Sequence, residues 1–438
     1  MDPVLSASPR LWPRLVPGVV FLAYLVGTVL LFYFGPWIYP IAEGKGRLLA
    51  FLIAVHVAFA AGYLLGLRGQ PRGSRFDLDI NRWVLCCAAV DLLLLFPTSR
   101  LNTGAWIPNP FAALTDLGDA YTRSLTLRDL GTPYVNYLRI IVSPLLSAAL
   151  PLGVFFWPSL TALTRAVLAA SIVGTLALFV AMGANAGVAH WAAMFPWFVV
   201  ANWLSGARRL NRRTWIAVGA IQLVAVVCFG AFFAATMLQR KGGYVQSGQI
   251  PSISAHTRSV GPALPNLVAP PRSPVRVSVE GLASYLTQGY YAVYLSLQEP
   301  FIPSYGAGHS MFLLRQLVRV TGDASLLDRP YPKRIERRGW NAYGHWATIY
   351  PWIASDVTFP GTVVIVLLIG VLLARVWIDV IGARNPFAVA FLGQMLLMLY
   401  YFPAHNKAMQ SGEGVVAFWV LLAAWTVSRR KMRGAGGD

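Results

Sequence analysis

Charge is scarce in this chain: Asp, Glu, Lys and Arg make up 12% of its residues, about half of the roughly 25% usual in soluble domains. Hydrophobic residues reach 56% and the mean hydropathy is +0.57, more apolar surface than a water-soluble fold of this length can hide. Acidic residues are the scarcer sign, 17 against 36 Lys and Arg. In a soluble protein a net charge of +19 would point to nucleic acid. Here the basic residues sit in short segments between apolar runs, where they set orientation in a membrane, and in one long loop; no nucleic-acid partner is expected. Cysteine is nearly missing, and Cys86, Cys87 and Cys228 all fall inside apolar runs, which excludes a disulfide framework or a thiolate metal site and leaves packing roles. No fixed-period repeat is present, and the glycines of YGAGHS are too few for a phosphate-cradling loop and mark a turn. Asp77 and Asp79 spell an Asp-x-Asp pair, but their short loop leaves no room for a nucleotide-binding domain, so neither metal nor cofactor is expected.

Long apolar runs are what the chain does have. Segments 17–37, 47–67, 83–96, 136–157, 161–182, 188–204, 214–238, 362–381, 387–402 and 415–427 read as spans, predicting an all-α, polytopic integral membrane bundle of about ten helices. The first run is long, and no cleavage site of the A-x-A kind follows it, so it reads as a retained span. Arginines 68, 72, 75 and 82, then 208, 209, 212 and 213, then 375 and 384, and finally 429, 430 and 433 with Lys431 all fall on one side under this count. The positive-inside rule makes that side the cytoplasm and puts both termini there. The chain then divides into residues 1–238 with seven spans, a large outward loop at 239–360, and residues 361–438 with three spans and a tail. Within the loop, 242–278 is rich in Pro, Ser and Gly, the apolar, polar-broken 281–298 suits the membrane interface, and 309–320 suits an amphipathic helix.

Several residues of the outward segments can carry chemistry. Arg315 and Arg319 are one helical turn apart on one face, the spacing of a clamp for a diphosphate or of a basic face lying on anionic lipid headgroups. Lys333, Arg334, Arg337 and Arg338 add positive charge, either for an anionic ligand or as a solvated loop. His345 and Asp356 are candidates for a general base, His345 alternatively a structural histidine and Asp356 alternatively the cap of a helix starting near Pro360. At membrane depth, His56, Asp91, His190 and Arg139 are expensive to bury and therefore of interest, Arg139 most of all because it lies near the outer end of its span.

Three stretches carry a family likeness: NPFAALTDLGDAYTRSL at 109–125, YLTQGYYAVYLSLQEPFIPSYGAGHS at 285–310, and WATIYPWIASDVTFPG at 346–361. With these and its many spans around one large outer loop, the chain resembles the bacterial oligosaccharide repeat-unit polymerases, the Wzy-type O-antigen and exopolysaccharide polymerases. The resemblance implies a fold like that of the GT-C ligase and polymerase class in the bacterial inner membrane, with a metal-free site at the periplasmic face. It implies an undecaprenyl-diphosphate-linked oligosaccharide as donor, a second lipid-linked repeat unit as acceptor, membrane lipid around both, and a chain-length regulator as partner. Asp356 or His345 would be the base. Arg139, Arg315 and Arg319 would stabilise the departing diphosphate. Arg334, Arg337, Gln288, Tyr290, Tyr305, Trp346 and Thr348 would contact substrate. An O-antigen ligase shares the donor and is the nearest alternative; a polyprenyl-lipid flippase or transporter would instead place its polar residues along a path through the bilayer.

Overall fold

The computed structural model describes residues 11–41, 43–130, 133–206, 212–246, 258–259, 274–340 and 345–431. The described chain is overwhelmingly helical: α1 (Leu11–Phe34), α2 (Lys45–Leu67), α3 (Ile80–Thr103), α4 (Pro110–Thr115), α5 (Leu117–Leu130), α6 (Pro133–Phe155), α7 (Ala162–Ala181), α8 (Ala186–Leu204), α9 (Arg212–Gln246), α10 (Pro274–Ser296), α11 (Met311–Thr321), α12 (Tyr331–Arg334), α13 (Ile349–Ala383), α14 (Pro386–Tyr401), α15 (Lys407–Gln410) and α16 (Gly412–Ser428). Among the described residues seven helices, α1, α2, α3, α6, α7, α9 and α13, are long and apolar enough to cross a membrane, and α14 and α16 are shorter apolar helices. The protein is therefore an all-α membrane protein.

The core is built on close helix approach. α2 and α13 run against each other, and the GYLLG spacing of Gly62 and Gly66 makes it possible. A Cβ at Gly62 would collide with the Leu367 carbonyl, and one at Gly66 would lie 2.6 Å from the Ala374 methyl. Small residues four apart let backbones meet where lipid offers no hydrophobic drive of its own. Phe59 on α2 and Leu373, Val376 and Trp377 on α13 are all buried.

Both ends of the described chain lie at one end of the bundle, here termed the terminal end. The Trp377 indole donates to the Pro13 carbonyl, and β4 (Arg429–Lys431) pairs antiparallel with β2 (Arg72–Ser74). Asp379, fully buried, accepts from the Arg72 amide at 2.8 Å, Trp425 Nε1 at 2.9 Å and Arg429 Nε at 2.8 Å. Asp79 of the Asp-x-Asp pair caps α3, accepting from the Arg82 amide. Cys87 is buried, whereas Cys86 and Cys228 are exposed, which corrects the reading of all three as packing residues.

Two further expectations need correction. Segment 281–298 does not lie at an interface: it forms most of α10, with Tyr290, Ala292 and Val293 fully buried. Its polar breaks are satisfied inside the protein, the Tyr290 hydroxyl bonding Thr28 at 2.8 Å and Thr287 bonding Tyr39 at 2.7 Å, so the period of the sequence hides a core helix. The stretch 239–360, expected as one large outward loop, is helical at both ends, since α9 continues to Gln246 and α13 begins at Ile349. α13 is broken within: Thr358 has φ 67° and ψ 170°, a conformation that strains any residue but glycine, and Pro360 follows two residues later. The expected helix start near Pro360 is thus the start of its second half, capped by Thr358, whose hydroxyl faces the Gly361 amide. β1 (Trp37–Ile38) pairs with β3 (Arg258–Ser259); the remainder of 247–273 lies outside the described residues.

Candidate functional site at the distal end

At the end away from the termini, Asp356 acts as a clasp instead of a helix cap. One carboxylate oxygen accepts from the Gly308 amide at 2.8 Å, and the other accepts from the His309 amide at 2.9 Å and from His309 Nδ1 at 2.8 Å. The turn it holds is YGAGHS, where Tyr305 and Gly306 both take positive φ. A carboxylate can only accept, so the proton between them belongs to Nδ1 of His309; Nε2 is buried and has no partner among the described residues. Asn406 Nδ2 donates to the His309 carbonyl at 2.7 Å and Gln410 Nε2 at 3.2 Å, while Gln410 Oε1 accepts from the Met311 amide that opens α11. Segments far apart in sequence thus meet at one histidine.

Beside the clasp lies an aromatic corner. The His405 ring stacks on Trp346 at 5.3 Å and 24°, and the Tyr285 ring meets Trp346 edge-on at 4.9 Å. Tyr401 hydrogen bonds His190 Nε2 at 2.9 Å. Burial, reinforced by the Lys407 ammonium, pushes the His405 imidazole down to about 3, so it is neutral. Gln288 follows Tyr285 by one turn of α10, and its neighbour Gly289 lets the helix touch Thr348 and the Pro403 carbonyl, where a Cβ would lie 2.8 Å from the Thr348 amide. Thr348 is buried as the cap that accepts from the Tyr350 amide, and Gln288 is buried on the same helix as Tyr285.

The arginines are distributed differently from a symmetric clamp. α11 forms over the expected stretch with Leu314 buried and Arg315 and Arg319 exposed. Arg319 donates to the Tyr137 hydroxyl at 2.8 Å and to Gln316 Oε1 at 3.3 Å. Arg139, two residues beyond Tyr137 on α6, is already neutralised: it forms a forked pair with Glu413 at 2.9 and 3.0 Å and donates to Thr98. It is a tie between α6, α16 and α3 more than a ligand for a free anion. Arg334 is buried, donates to the Arg329 carbonyl, lies over the Tyr331 ring at 4.6 Å and approaches Glu299 at 3.8 Å; Arg338 pairs with Glu299 at 2.7 Å, and Arg337 is exposed.

Other candidates are packed or bonded within the protein. His345 is 2% exposed and packs on the fully buried Trp340 at 4.5 Å, the setting of the structural alternative. Tyr290 is a core residue bonded to Thr28. Tyr305 is exposed on the outside of its turn, with the Arg329 guanidinium 5.0 Å from its ring. At membrane depth, Asp91 accepts from Ser171 at 2.5 Å and Thr175 at 3.2 Å, and His56 Nδ1 bonds the Leu52 carbonyl of its own helix. Sequence reasoning missed His309, Tyr285, His405 and Lys407. A signal existed: His405, Asn406, Lys407 and Gln410 crowd into the short link PAHNKAMQ between the last two apolar helices. Compared with family models, with curated proteins and with solved structures, the chain shows no significant match.

Proposed function

We propose that the chain is a metal-independent membrane glycosyltransferase that polymerises undecaprenyl-diphosphate-linked oligosaccharide repeat units at the periplasmic face of a bacterial inner membrane. The observation that carries this reading is the Asp356–His309 clasp, because it joins the two stretches of strongest family likeness, 285–310 and 346–361, into one polar site at the end of the bundle. On this reading α8 is a further span, giving about ten with α14 and α16, both termini are cytoplasmic, and the distal end is periplasmic.

The chemistry follows from the residues. A hydroxyl of the acceptor sugar attacks the anomeric carbon of the donor, and the bond from that carbon to the diphosphate oxygen breaks. His309 Nε2 takes the hydroxyl proton, with Asp356 holding the ring in the tautomer that leaves Nε2 able to accept. Asp356 is thereby a positioning residue and His309 the base. The diphosphate leaves with its electron pair and gains charge, which the exposed Arg315 and Arg319 on α11 stabilise. Membrane lipid surrounds the polyprenyl tails, and a chain-length regulator is the expected protein partner.

The test is complementation of a deletion strain. Wild type restores long-chain glycan ladders, whereas His309→Ala leaves single-repeat glycans at equal protein level. Ladders of normal length from His309→Ala would remove His309 as base. A deletion strain that still makes long chains but fails to attach them to the lipid core would assign the chain as a ligase.

A further inference from the structure

We infer that the turn linking α6 to α7, with Arg165 and Arg384 over its aromatic rings, is a binding site for the phosphodiester of an anionic phospholipid, seated at the terminal end of the bundle. The inference rests on the membrane fold and not on the transferase proposed above.

Two guanidinium groups from different elements converge on one platform. Phe155, Phe156 and Trp157 follow one another out of α6; Phe155 and Phe156 are buried and meet edge-on at 4.8 Å, and Asn202 of α8 donates to the Phe155 carbonyl at 2.5 Å, which fixes the turn. Arg165 of α7 lies 5.8 Å from the Trp157 ring, and its Nε and Nη2 donate to the Trp157 and Pro158 carbonyls, both at 3.1 Å; Nη1 has no partner among the described residues. Arg384, which follows α13, lies over Phe156 at 5.6 Å and over Phe155 at 6.0 Å. It is exposed, and its guanidinium makes no hydrogen bond or ion pair among the described residues. It also sits at φ 50°, the left-handed position that usually falls to glycine at a helix end, so an arginine is kept there against backbone strain. An aromatic ring covers one face of each guanidinium and leaves its N–H edge for an oxyanion, the geometry in which arginine forks onto phosphate.

The surroundings decide what carries the phosphate. α6, α7 and α13 are long apolar helices that begin or end here, so the turn lies where hydrocarbon gives way to headgroups. Exposed Trp157 and Leu163 offer apolar contact to acyl chains, which a free phosphate lacks. Arg68, Arg72, Arg75 and Arg375 share this end with fewer acids, Asp77 and Asp79, which favours a headgroup of net negative charge over a zwitterion.

The experiment follows lipid retention by native mass spectrometry of the full chain purified in detergent, with phosphatidylglycerol and phosphatidylcholine of equal acyl chains as probes and inorganic phosphate as a soluble competitor. Wild type is expected to prefer phosphatidylglycerol about 25-fold, about fivefold for each arginine, and Arg384→Gly and Arg165→Gln each to lower that preference about fivefold. Because Arg384→Gly relieves the positive φ, its melting temperature in phosphatidylcholine should be unchanged or higher, which separates a missing ligand contact from a damaged fold. Arg68→Gln removes the same charge from the same end but outside the turn and should leave the preference unchanged. Equal retention of the two lipids by wild type, or a preference that Arg384→Gly and Arg165→Gln both leave intact, would overturn the site. A loss from Arg68→Gln as large as that from Arg384→Gly would reduce it to the general charge of this end, and displacement of phosphatidylglycerol by inorganic phosphate would assign the arginines to a free phosphate; either result also overturns the inference.

Discussion

Asp379 at the terminal end and Asp356 at the distal end are both shielded carboxylates that accept from three donors, those of Asp379 drawn from two separated segments and those of Asp356 from the single turn at 308–309. Around Asp379 the donors are a backbone amide, an indole and a guanidinium, and the result is a knot that fixes the C-terminal strand to the loop between α2 and α3; one Arg429 nitrogen is left over. Around Asp356 a donor is itself an acid–base group, and Nε2 of His309, Oδ1 of Asn406 and Oε1 of Gln288 have no hydrogen-bond partner among the described residues. Buried polar atoms are nearly always paired, so these atoms are what the proposed function and its ligand would have to account for.

The largest expected effect would separate the two aspartates by what is lost. His309→Ala should reduce turnover by about 10²–10⁴-fold with little change in thermal stability, the range for removing a general base. Asp379→Ala should do the opposite, costing about 3–5 kcal/mol because the Arg429 guanidinium is left without its counter-charge, with turnover per folded molecule retained. Melting followed by tryptophan fluorescence, alongside turnover, checks both; a stability loss from His309→Ala as large as that from Asp379→Ala would erase the contrast.

A smaller effect sharpens the comparison through pH. His405 is neutral when folded, down to about 3, and takes up a proton at its ordinary value of 6.5 when unfolded. Between those values the unfolded state binds more protons, so stability falls as pH drops from about 6.5 toward 3 and is restored as it rises. His405→Gln should flatten part of that slope in melting curves taken at pH 7 and pH 5, whereas a slope unchanged by His405→Gln would contradict the burial. The smallest effect is expected at Thr358. Thr358→Gly relieves a positive-φ conformation and should stabilise by about 1 kcal/mol, offset in part by the greater freedom of glycine when unfolded. A lower melting temperature for that variant would show that the Thr358 cap outweighs the strain.

The apolar runs made the long helices legible, because length and composition alone decide whether a segment suits hydrocarbon. The amphipathic helix bearing Arg315 and Arg319 was legible for the same reason, its period being unmistakable. α10 was not, since a helix buried in protein and one lying at an interface share the same mixed pattern, and only the partners Thr28 and Tyr39 tell them apart. The site was half legible. Asp356 and Trp346 stood out by type and by the likeness of their stretch, but the use of Asp356 depends on a turn some fifty residues away, and no local spacing encodes that contact. Arg139 was noticed for its depth, while its neutralisation by Glu413 depends on two helices meeting.

The break in α13 has a mechanical consequence. A continuous rod from Ile349 to Ala383 would carry any tilt imposed by bilayer thickness straight to Asp356. With the rod interrupted at Thr358 and Pro360, its long part, 361–383, is free of a rigid connection to the short one. The short part before the break, 349–357, stays moored to the 308–309 turn through Asp356, so a tilt of the longer part need not be carried to His309.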